Sequence, residues 1–97
     1  MSRKRPYEIK SYTIEKARGF GVEVAPSNRK NYKIDIYDSD GAFICSIGDR
    51  RYSDYPTYFE TKGRDYAEKR RKLYHLRHHH EKDSIGTPGW FAYHLLW

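Results

Sequence analysis

Between Tyr7 and Ile14 the side chains alternate with a period of two. In YEIKSYTIEKA, Tyr7, Ile9, Ser11 and Thr13 fall on one side, and Glu8, Lys10, Tyr12 and Ile14 on the other. Aromatic and β-branched residues are frequent here, so the spacing predicts a strand. Gly19 and Gly21 flank Phe20 and mark a turn or bulge. GVEVA, residues 21–25, reads as a second short strand, and PSNRKN, residues 26–31, as a loop. The strongest local signal follows. In YKIDIY, Tyr32, Ile34 and Ile36 alternate with Lys33, Asp35 and Tyr37; in AFICSI, Phe43, Cys45 and Ile47 alternate with Ala42, Ile44 and Ser46. Asp40-Gly41 between two such runs predicts a hairpin turn. Residues 7–48 are therefore expected to form an antiparallel sheet of three or four strands.

Beyond Gly48 the period of two is lost. Gly48, Pro56 and Gly63 punctuate residues 48–63, which read as a structured connector. DYAEKRRKLYHLRHHHE then reads as one long helix, residues 65–81. Asp65 is the expected N-cap, with Glu68 three residues later. Its apolar stripe is narrow: Tyr66, Ala67, Leu73 and Tyr74, with Arg70, Arg77 and His78 in register. That side is expected to face the sheet or the connector. Lys69, Arg71, Lys72, His75 and His79 are expected to face outward. KDSIGTPG ends the helix, and the apolar run WFAYHLLW closes the chain. Trp90, Tyr93, Leu96 and Trp97 fall on one helical side, and together with Phe91 they read as core capping the sheet or as a docking surface. The predicted class is α+β: a basic arm, residues 1–6, and one domain, residues 7–97, with a small sheet, one long helix and a C-terminal apolar segment.

Composition sharpens this picture. The apolar fraction is only 37%, but ten of the 97 residues are tyrosine, so the core is expected to be built largely from rings. The net charge of +6 is unevenly spread. Arg3, Lys4 and Arg5 lie in the arm. Residues 62–82 carry eight basic residues against three acidic ones, whereas residues 31–60 carry six acidic against three basic. Such a split favours a polyanion or an acidic protein as partner. Cys45 is the single cysteine, which leaves no internal disulfide and fits a reducing compartment. No apolar run approaches a membrane span, and MSRKRPYEIK lacks the apolar stretch of a signal peptide.

Three chemistries can be placed on the basic helix. His75 pairs at helical spacing with His78 and His79, which is a zinc half-site; Cys45, Glu81, Asp83 or His94 would have to complete it, and no spacing selects one. Histidines at a helix C-terminus are equally accounted for by the helix dipole, and no metal or cofactor is expected. Lys69, Arg71, Lys72 and His75, with Arg3, Lys4 and Arg5, form a candidate surface for a polyanion or an acidic partner. Arg70, Arg77 and His78 are more economically read as a structural network holding Asp49 and Asp54 of the connector. No catalytic motif is present, Cys45 reads as a small buried hydrophobe, and no enzymatic activity is expected.

Residues 48–97 also carry a family pattern. Gly48-Asp49, Tyr52-Ser53-Asp54-Tyr55, Arg77-His78 and the closing Trp-x-x-x-x-Leu-Leu-Trp from Trp90 to Trp97 resemble a family of small uncharacterised proteins encoded by large double-stranded DNA viruses. In that pattern only Arg-His is regular, so His79 and His80 depart from it. The resemblance imports no activity. It implies a viral source, a virion location reached through host cytoplasm or nucleus, and a structural role such as a minor capsid or cement protein contacting other virion proteins in an assembly. The alternative it leaves open is a basic nucleic-acid-binding packaging protein.

Overall fold

A computed structural model describes residues 7–97; the arm residues Arg3, Lys4 and Arg5 lie outside the described residues. The class is α+β. Helix α1 (Ser11–Gly19) leads into a sheet of β1 (Glu23–Pro26), β2 (Tyr32–Tyr37) and β3 (Phe43–Asp49). Helices α2 (Tyr55–Lys62) and α3 (Arg64–Arg77), a 3₁₀ helix (His79–Asp83) and helix α4 (Pro88–Leu95) follow. The sheet is antiparallel in the order β1-β2-β3. Ile34 pairs with Ile47, and a register shift at Ile36/Tyr37 re-aims the hairpin tip. Gly41 takes φ 84°, and Asp38 accepts from the backbone N–H of Asp40 and Ala42, both at 2.9 Å, so the Asp-Gly turn forms where the sequence places it.

The first expected strand is a helix. Thr13 and Ala17, four residues apart, are the buried positions of α1. Its end is a Schellman motif: Gly21 has φ 72°, its N–H donates to Arg18 O, and Val22 N–H donates to Ala17 O, both at 3.1 Å. Lys16 and Arg18 sit in the last turn, where the helix dipole favours them. A period of two over eight residues is a weak signal against a glycine stop and a basic last turn. Thr13 is fully buried, and its hydroxyl donates to Leu95 O at 2.8 Å, which locks α1 against α4.

The expected connector holds a second unforeseen helix. Asp54 is its N-cap and accepts from Thr57 N–H at 3.0 Å; Pro56 lies in the first turn. Gly63, φ 89°, ends α2 and directly precedes α3, so Asp65 lies inside the first turn of α3 and caps nothing. The long helix also stops earlier than expected, at Arg77, and tightens into the 3₁₀ helix. The described residues thus hold four α-helices where one long helix was expected.

Ile34, Ile36 and Ile47 of the sheet meet Ala17 of α1 and Phe91, Leu95 and Leu96 of the C-terminal segment in one buried cluster. The inward residues of α4 are Phe91 and Leu95, four apart, with Trp90 and Tyr93 half-buried beside them. Thr87 caps α4 by accepting from Trp90 N–H at 3.2 Å. The C-terminal segment is therefore core, and Trp97 reaches from it to the α2–α3 pair through ring contacts. No helix among the described residues is long and apolar enough to cross a membrane.

Candidate functional site

Asp54 sits at the junction of the layers. Its carboxylate is 1% exposed and accepts from Lys33 Nζ at 2.9 Å, Tyr7 OH at 2.7 Å and Thr57 N–H at 3.0 Å. Burial pushes the carboxyl group up, but the Lys33 charge and these hydrogen bonds outweigh it and hold Asp54 below the usual carboxylate range. Burial and the Asp54 charge raise Tyr7, so it stays a hydroxyl donor. Lys33 lies on the central strand and is itself 5% exposed. The expected partners of Asp54, Arg70 and Arg77, do not reach it. Asp49 is likewise held elsewhere, by Arg51 through both carboxylate oxygens at 2.8–3.2 Å, which lowers it to about 2.

The inward face of α3 differs in part from the expected one. It is Ala67, Arg70, Arg71, Tyr74, His75 and His78, with Ala67 fully buried; Tyr66, Leu73 and Arg77 of the expected side are exposed, and Arg71 and His75 take inward places. Leu73 and Leu76 point outward, 40% and 71% exposed. Arg71 bonds Glu68 at 2.9 Å and lies 4.2 Å over the Tyr55 ring. His75 stacks on Tyr93 at 4.3 Å and 18°. Burial and then the Arg71 charge hold His75 below its usual value, so it is a neutral packing ring. Of the outward polyanion set on the helix, Lys69 and Lys72 remain exposed, whereas Arg71 and His75 are committed to packing. The sequence misleads because two leucines face solvent while an arginine and a histidine face protein. Their rings and stems bury as well as an aliphatic side chain when a partner ring is present.

Arg70, Arg77 and His78, expected to form an ion-pair network, instead line a cleft of about 460 Å³ between α3, the β3–α2 connector and the C-terminal segment. Tyr52, Tyr58, Tyr74 and Trp97 line it too. Trp97 stacks on Tyr74 at 4.4 Å and 5°, and Tyr74 on His78 at 4.2 Å and 21°, so three rings form a continuous column. Burial and then the Glu81 charge raise Tyr74 to about 12. Arg70 lies 5.7 Å over the Tyr58 ring. Neither Arg70 nor Arg77 reaches a carboxylate among the described residues, and Arg70 Nε is buried without a hydrogen-bond partner there.

Among the described residues no three His, Cys, Asp or Glu side chains come together as a metal-binding group. Burial and then Asp35 push the Cys45 thiol up, which keeps it from being a reactive thiolate. Lys33 and Tyr7 at the junction and Tyr58 at the cleft are candidate positions that sequence reasoning missed, and Tyr52 was read there only as part of the family pattern. A capping aspartate before Pro56 was the available signal for the junction; nothing local marks Lys33 as its partner. Compared with known proteins, the chain matches no family model, no curated protein and no solved structure.

Proposed function

We propose that the chain is a non-catalytic structural protein of a virus particle, working through protein–protein contacts, and that one of those contacts is with a second copy of itself. The virion role rests on the resemblance of residues 48–97; the self-contact is supported by a pair of exposed apolar surfaces of opposite charge. On α3, Leu73 and Leu76 lie exposed beside Lys69 and Lys72. At the hairpin, Phe43 and Ile44 are 51% and 38% exposed beside Asp38 and Asp40. Apolar side chains at this exposure, rimmed by charge, favour association, and the opposite signs favour hairpin against α3 over like against like. Such a contact is heterologous, so it links copies head to tail into a ring or an extended array.

Sedimentation of the purified chain over a concentration series tests the contact. Leu76→Asp and Phe43→Asp each remove one side, and each variant is expected to stay monomeric alone. Mixed, they are expected to form only a one-to-one complex, because each retains the surface the other lacks. A wild-type chain that is monomeric throughout overturns the self-contact. Mass spectrometry of purified particles tests the location, and failure to find the chain there overturns the virion role.

A further inference from the structure

The cleft beside α3 is a separate surface from the one just described. Lys69, Lys72, Leu73 and Leu76 are not among its lining residues. Its charge is uncompensated in one place only. Lys33 is bound to Asp54, and Asp49, the one acid among the lining residues, is chelated by Arg51. Arg70 and Arg77, seven residues apart on one strip of α3, are left without an acidic partner among the described residues. Arg70 Nε is buried without an internal acceptor, so no hydrogen bond at that nitrogen fixes the guanidinium among the described residues. Arginine forks match phosphate geometry.

The second feature is the rings. The column His78–Tyr74–Trp97 ends in ring faces, and Tyr52 stands 65% exposed at the cleft wall. A planar heterocycle extends such a stack without needing base-specific hydrogen bonds. The volume lies within the range of small-molecule sites, roughly 300–1,000 Å³. We propose that this cleft binds a nucleotide, its phosphate taken by Arg70 and Arg77 and its base held against the aromatic wall. An acidic peptide would satisfy the arginines but not the rings. The same chemistry is offered by a free nucleotide and by one unit of a single strand.

The test uses the full chain and four probes: AMP, inorganic phosphate, an oligothymidylate of about eight nucleotides, and an oligoglutamate peptide. Binding is read by calorimetry and by quenching of tryptophan emission in a Trp90→Phe background, which leaves Trp97 as reporter. AMP or the oligonucleotide is expected to bind and to quench Trp97. Arg70→Gln and Arg77→Gln are each expected to weaken binding by roughly tenfold or more, while Lys69→Gln/Lys72→Gln changes it less than about threefold. Arg70→Lys keeps the charge and loses the fork, and is expected to bind as poorly as Arg70→Gln; its thermal unfolding, matched to wild type, shows that the fold is intact. Tighter binding of the oligonucleotide, falling steeply with salt, assigns the source to a single strand; AMP alone assigns it to the free nucleotide. No binding by either, phosphate binding as tightly as AMP, oligoglutamate displacing AMP with equal affinity, or equal losses from the outward lysines would overturn the proposal.

Discussion

Asp54→Asn tests the junction that ties the N-terminal segment, the sheet and α2 together. The asparagine keeps the volume, and its Oδ1 can still accept from Thr57 N–H, so the cap survives; its NH2 then stands where the second carboxylate oxygen accepts from Tyr7 OH and Lys33 Nζ, and cannot accept from either. What disappears is the charge opposite Lys33, whose side chain is 6% exposed. At 2.9 Å and an effective dielectric of about 20, the attraction is about 6 kcal/mol. Desolvation offsets part of this, and removing one partner of a buried pair costs about 3–5 kcal/mol. A domain of this size has about 5–15 kcal/mol in total. The expected fall in Tm is therefore about 12–40 °C. Thermal unfolding followed by far-UV circular dichroism at pH 7 measures the fall in Tm, and urea unfolding the loss in free energy. Lys33→Met/Asp54→Asn removes both charges and is expected to be more stable than Asp54→Asn alone. The pH dependence has a definite sign. Asp54 is held below its unfolded value of about 3.9, so the stabilisation is present above about pH 4 and is lost as pH falls through the folded value. The gap between wild type and Asp54→Asn should narrow as pH drops below about 4. A double variant as unstable as the two single losses added, or a gap independent of pH, would refute the reasoning.

Thr13→Val removes the hydroxyl that satisfies Leu95 O in a fully buried position, and should cost about 1–3 kcal/mol by the same unfolding assay. Gly48→Ala places a Cβ 2.9 Å from Lys33 Cδ and 3.0 Å from Leu96 Cδ1 at φ 81°, and should cost about 2–4 kcal/mol. Gly41→Ala, at φ 84° in open space, carries the backbone strain alone and should cost about 1–2 kcal/mol. His75 is held below its usual value by burial, so the unfolded chain takes its proton first; stability should fall as pH drops through about 6.5, and His75→Gln should flatten that slope in unfolding midpoints measured between pH 7.5 and 5.5.

The hairpin was legible because its information is local. Asp40-Gly41 supplies the turn, and alternation on either side supplies the strands. The α3 helix was legible in its body but not at its ends or in its facing. Its cap lies at Gly63, its stop at Arg77, and its buried strip follows Tyr74, His75 and His78 where the leucines suggested another side. Helix α1 was missed because Tyr7–Ile14 satisfies a period of two by chance, while the decisive signal, Gly21 in a Schellman motif, lies beyond it. Helix α2 was missed because Pro56 and Gly63 were read as loop punctuation, although a proline in the first turn and a glycine after the last are helix boundaries as well.

By itself the sequence determined the α+β class, the hairpin, a helical basic segment and the split of charge, since each follows from turn chemistry, periodicity or composition over a few neighbouring residues. Tertiary structure alone decided the pairings: Lys33 with Asp54, Asp49 with Arg51, Tyr74 between His78 and Trp97, and Arg70 and Arg77 left facing a cleft. In a chain with this many charges and rings, each side chain has several acceptable partners at similar energy. The choice among them is made by which elements pack together and which positions lose water, and neither is written into local spacing.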